Sequence, residues 1–153
     1  MLRVDRQCAI WAPSTSGLRS DLFTGHKRDQ RFVRAAPRIE NWMAGLDPID
    51  RVVICTIIRG EVLVGVGRLP PGRRRTELEE TGHQFLGAFR CEPVVGQAGD
   101  FYAAVTLARQ QRCLRLDEND LWIAATALAP GARLVSRDRD FEGIDGLPLV
   151  PPG

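Results

Sequence analysis

Lysine is almost missing from this chain: of its 21 basic residues all but Lys27 are arginine. Cysteine and histidine are sparse as well. The four cysteines, Cys8, Cys55, Cys91 and Cys113, include no Cys-x-x-Cys pair, and only His26 and His83 could supplement them, which argues against a zinc site. Cys8 and Cys55 stand beside apolar residues, as reduced core thiols of a cytosolic protein do. No apolar run approaches the roughly 18 residues of a membrane span, and the first residues lead into no secretory apolar segment. A soluble cytoplasmic protein is expected. Repeats and low-complexity segments are absent. Charge of one sign is also absent, since the formal net charge is only +2, so bulk charge alone does not demand a nucleic-acid partner. Arginine is the better bidentate partner for phosphate, although a GC-rich genome would give the same bias.

What is present fits one globular domain over residues 1–153, with 44% hydrophobic and 26% charged residues. A chain of this length buries about two thirds of its unfolded surface without staples. Residues 8–12 form a weak strand candidate closed by Pro13, followed by Ser14-Thr15-Ser16-Gly17, which is turn and helix-cap chemistry. Residues 30–46 read as one or two amphipathic helices interrupted at Pro37. The β-branched run 51–57 has the length and continuity of a central parallel strand. Helical periods follow it: Ile58, Val62, Gly65, Val66 and Leu69, then residues 76–89, then 101–111. Residues 119–129 are apolar almost all round, so this helix should be buried, and Pro130-Gly131 ends it. Short strands are expected at 134–136 and 147–150. Strands alternating with helices predict an α/β, three-layer domain around a mostly parallel sheet.

Several acids stand where acids are costly. Glu61 lies between Ile58 and Gly65 in the apolar stripe of its helix, which requires a partner for the carboxylate. Asp120 is the one charged side chain of the buried helix, in its first turn, where capping and the helix dipole are the ordinary explanation. Asp138 and Asp140 directly follow a strand; each alone reads as an Asp turn, yet C-terminal strand ends are where open parallel sheets bind ligands. Taken together, Glu61, Asp120 and Asp138 can converge on one edge. Two unit charges about 4 Å apart at an effective dielectric near 20 repel by roughly 4 kcal/mol, so such a group takes up protons or holds a cation. Oxygen ligands without paired Cys or His select hard ions, here Mg2+ or Mn2+, which suit phosphodiester hydrolysis.

Gly60-Glu61 after the run 52–57, Asp120-Leu121-Trp122-Ile123-Ala124-Ala125-Thr126-Ala127-Leu128, Leu134-Val135-Ser136-Arg137-Asp138-Arg139-Asp140-Phe141 and Gly146-Leu147-Pro148-Leu149-Val150 together resemble the PIN domain, particularly VapC-type toxins of bacterial toxin–antitoxin pairs. The resemblance runs from about Ser14 to Val150 and is carried chiefly by the Asp-x-x-Ile-Ala-Ala helix and the Asp-x-Asp-Phe turn. It implies a PIN-like fold and a Mg2+-dependent endoribonuclease toxin that cuts RNA, is silenced by a VapB-type antitoxin and forms a homodimer. It also implies that Glu61, Asp120 and Asp138 are catalytic metal-site carboxylates, with Asp140 as an additional ligand.

One departure stands at the start. The family opens with a strand ending in Asp-Thr-Asn or Asp-Thr-Ser, whereas this chain has Ser14-Thr15-Ser16 at the matching place. A hydroxyl binds Mg2+ poorly, so either affinity is lower, or Asp21 reaches in, or catalysis is impaired. The last option makes a degenerate PIN domain, binding antitoxin or RNA with little cleavage, the alternative reading. Thr15 and Ser16 match the motif and can orient ligands. Arg137 and Arg139 are the expected RNA contacts beside the acidic edge. The Arg73-Arg74-Arg75 run reads first as a solvated helix face paired with Glu77, Glu79 and Glu80. A phosphatase of receiver-like topology lacks its catalytic Asp and Lys here.

Overall fold

The chain builds five parallel strands and four long helices within the described residues, which in this computed structural model are 8–11, 44–46 and 50–151. The strand β1 (Cys8–Trp11) is followed by β2 (Arg51–Cys55), α1 (Thr56–Gly67), α2 (Arg73–Ala88) and β3 (Arg90–Glu92). Then come α3 (Ala98–Gln111), α4 (Glu118–Leu128), β4 (Arg133–Val135), a single 3-10 turn (Arg139–Phe141) and β5 (Leu149–Val150). Every strand pair is parallel, in the order β3-β2-β1-β4-β5. Parallel neighbours need helical crossovers, and these supply the outer layers of the α/β sandwich. The three-layer expectation holds. Ser14, Thr15, Ser16, Asp21 and all of the 30–46 helices except 44–46 lie outside the described residues.

β2 ends at Cys55, two residues before the end of the β-branched run. Cys55 has extended dihedrals and serves as N-cap, so the helix starts directly off the strand. Thr56, Ile57 and Ile58 are helical despite strand propensity, because Ile58 and Val62 seat one stripe in the core. Helix α2 begins at Arg73 after Gly72, and Arg73–Glu77 and Arg75–Glu79 pair at 2.7 Å along its exposed and half-buried flank. That run is a solvated helix face, as its charge pattern suggested. Helix α3 starts three residues before the periodic segment, and β3 is a three-residue strand too short to announce itself by alternation.

The core sits between the sheet and the helices packed on it, α4 above all. Ile10, Val53, Ile54, Leu134 and Val135 supply the sheet side, while Ile123, Ala124, Ala125 and Ala127 are fully buried on α4. Burial of each larger aliphatic side chain is worth about 1.5–3 kcal/mol, and the alanines let the helix approach closely. Along the described residues no helix is long and apolar enough to cross a membrane.

Candidate metal centre

Sheet order fixes where a site belongs. The chain leaves β1 toward β2 and β3 on one side and reaches β4 and β5 on the other, so the winding reverses between β1 and β4. Open parallel sheets bind ligands in the crevice at the carboxyl ends of the two strands flanking such a reversal. Trp11 pairs with Val135 and Ile10 with Val53, so β1, β2 and β4 end nearly level on one rim. Helix α1 starts from β2 at this rim, and α4, which leads into the start of β4, has its N-terminus there as well. At the opposite rim, Arg133 Nη2 meets Asp50 Oδ1 at 3.1 Å and ties the starts of β4 and β2 together.

The first group on the rim comes from α1 and α4. Glu61 Oε1 accepts a hydrogen bond from Asn119 Nδ2 at 3.0 Å. Its other oxygen, Oε2, is buried and meets no donor among the described residues. Burial pushes the Glu61 carboxyl up from 4.5 to about 7; the Asn119 amide opposes the shift, and the charges of Asp120 and Asp117 add to it. Asp117 is the N-cap of α4, its side chain accepting the Asn119 backbone N–H at 3.2 Å. Side-chain capping therefore belongs to Asp117, while Asp120 keeps the first-turn position that the helix dipole favours. Asp120 is only 4% exposed, an expensive place for a carboxylate serving no end.

The second group follows β4. Asp138 is 5% exposed, its backbone N–H donates to Ser136 Oγ at 3.1 Å, and its Oδ1 accepts the Asp140 N–H at 3.0 Å. These bonds fix Asp138 as the cap of the 3-10 turn and leave Asp140, Arg137 and Arg139 exposed around it. Glu61 and Asp120 thus stand together with Asp117 on the α1–α4 side, and Asp138 stands on the β4 side, with the end of β1 between the two strands concerned. Among the described residues no three acidic, His or Cys side chains are grouped closely enough to enclose a metal ion by themselves. Ser14, Thr15 and Ser16 follow β1, outside the described residues.

The donor set nevertheless suits a hard divalent cation. A buried carboxylate oxygen without a donor, next to two further carboxylates and with no cationic side chain among the causes acting on its charge, is a site short of positive charge. The residues missed from sequence are Asn119, Asp117 and Ser136, which hold Glu61, the α4 terminus and Asp138 in place.

Comparison with known proteins agrees with the fold. VapBC-1 from nontypeable Haemophilus influenzae matches with a TM-score of 0.73 at 16% identity, over 94% of this chain and 97% of that one. FitAcB from Neisseria gonorrhoeae matches with a TM-score of 0.65 at 22% identity, over 94% and 97%. A toxin-antitoxin complex from Klebsiella pneumoniae matches with a TM-score of 0.56 at 25% identity, over 95% and 98%. No curated protein sequence matches the chain. The PIN-domain family model matches residues 21–147, most of the chain's length. By that match the chain belongs to the PIN-domain family, whose members are nucleases that work with divalent metal ions.

Proposed function

We propose that this single-domain protein is the toxin of a VapBC-type pair, a Mg2+- or Mn2+-dependent endoribonuclease of the cytoplasm that hydrolyses RNA phosphodiester bonds and is held inactive by a VapB-type antitoxin. The observation that supports it best is the buried Glu61 Oε2, without a donor among the described residues, beside Asp120 at the sheet's carboxyl rim. Glu61, Asp120 and Asp138 would hold the cation, with Asp140 available as an exposed additional ligand. When bound, the ion supplies Lewis-acid stabilisation of the charge developing on the scissile phosphate. The chain's own residues do the rest. Arg137 and Arg139, exposed on either side of Asp138, hold phosphates beyond the scissile one, giving affinity that falls with salt. The α4 terminus and the Asp138 turn keep the carboxylates from relaxing apart, because Asp117 and Ser136 fix the backbones that bear them. A homodimer is part of the same proposal.

The second reading, a degenerate PIN domain, is favoured by Ser14 at the position where the family has its first Asp. One set of assays separates the two. Purified protein freed of antitoxin should cut structured RNA in Mg2+ or Mn2+, lose the activity in EDTA, and lose it in Asp120→Asn. Cleavage that persists in Asp120→Asn places the chemistry elsewhere. If the native chain binds RNA without cutting, Ser14→Asp should restore cleavage under the degenerate reading. A small upstream gene for a DNA-binding antitoxin would favour the toxin.

A further inference from the structure

The two helices on the rim are bridged by one polar contact with an unusual division of labour. Asn119 belongs to α4 and Glu61 to α1, and the Asn119 amide donates to Oε1 while Oε2 keeps no donor among the described residues. Asn119 is itself held, since its backbone N–H is taken by the capping Asp117. A carboxylate facing Asp120 and Asp117 would be driven by repulsion to swing toward solvent; a donor fixed on α4 opposes that swing. The donor's neutrality matters too. Lysine or arginine here would neutralise Glu61 and compete with a cation, whereas an amide orients the carboxylate and leaves its charge intact.

We propose that Asn119 is a positioning residue, whose side-chain amide holds Glu61 Oε1 and so leaves Oε2 as the oxygen presented to the divalent cation. The inference rests on the carboxylate site described above and goes beyond it in naming what sets its geometry. If Asn119 merely satisfied an exposed carboxylate, its loss would leave cation affinity unchanged. Acting through Glu61, its loss weakens binding, and partners of metal ligands of this kind typically account for roughly 10- to 100-fold in affinity.

The test is calorimetric titration of the full chain with Mn2+ alone, at pH 8, comparing Asn119→Leu, Glu61→Ala and the double variant. Asn119→Leu keeps the side chain's shape and removes its donor. The expected result is a loss of about tenfold or more in Asn119→Leu, and a change of less than about twofold when the same substitution is made in the Glu61→Ala background. Melting curves confirm folding, and Asn119→Ala replaces the leucine variant if that one does not fold. Native-like affinity in Asn119→Leu, with Glu61→Ala weakened, overturns the inference and spares the site. A tenfold loss that persists without the Glu61 carboxylate overturns it as well. Unchanged affinity in Glu61→Ala overturns the metal site and the inference together.

Discussion

Replacing Glu61 by Gln should make the metal-free protein more stable at pH 8 and hardly alter it at pH 5. In the folded chain the carboxyl titrates at about 7 against an ordinary 4.5. Between those values the native state binds the proton more tightly than the unfolded chain does, so stability falls as pH rises through the interval, and the cost is complete above about 7. The full shift corresponds to about 3 kcal/mol, which partial exposure of the carboxylate reduces to about 1–2 kcal/mol. Glutamine removes the charge and keeps the shape: its carbonyl can accept from Asn119 Nδ2, and its NH2 replaces an acceptor that has no donor among the described residues by a donor near the Asp120 and Asp117 carboxylates. For a chain of this size about 1–2 kcal/mol moves the melting temperature by about 2–8 °C. Differential scanning calorimetry in EDTA at pH 5, 6.5 and 8 measures it. Adding Mg2+ should then reverse the order, because only the native carboxylate gains from binding, by about 2.7 kcal/mol at a hundredfold excess over Kd. A Glu61→Gln gap that is absent at pH 8, or equal at all three values, refutes the account of the buried carboxylate.

The same proton competes with the cation. At limiting Mn2+ the apparent affinity should fall by about tenfold per pH unit below about 7, and saturating Mn2+ should move the cleavage midpoint to lower pH; a flat calorimetric profile from pH 5 to 8 contradicts it. Ser136→Ala removes the buried oxygen that accepts the Asp138 N–H and should cost about 1–3 kcal/mol in urea unfolding, with a drop in single-turnover cleavage. An unaffected cleavage rate would show that the Asp138 turn needs no such anchor. Gly82→Ala in α2 should stabilise by about 0.5–1 kcal/mol, since the new methyl would meet Val62 Cγ1 at 3.6 Å and Val66 Cγ2 at 3.8 Å, ordinary contact distances. A lower denaturation midpoint would mean that α1 and α2 are packed more tightly there than the structure places them.

How much of this could be read from the chain itself depends on the range of the interaction that decides each feature. α4 was legible because its signal is dense: eight of its eleven residues are buried, and Asp120 is conspicuous among them. β3 was not, since three residues of a strand gain their state from the pairing of Val53 with Arg90 and Ile54 with Cys91, which no local pattern encodes. The end of β2 was misplaced for the same reason: Ile57 and Ile58 look like strand until α1 has a sheet to pack on. Glu61 and Asp120 were readable as misfits, one charge in each apolar helix, because the cost of burying a carboxylate is visible without knowing its neighbours, whereas Asp138 was readable only by its place after a strand. Their keepers were not. Asn119 meets Glu61 across 58 positions of sequence, and an asparagine in the first turn of a helix is locally explained by capping alone. Asp117 takes that capping duty instead, and this is what lets the Asn119 amide turn to Glu61. The run Asp117-Glu118-Asn119-Asp120 therefore divides neighbouring polar residues between two duties, Asp117 capping the helix end and Asn119 reaching Glu61. The division becomes readable only when α1 is laid beside α4.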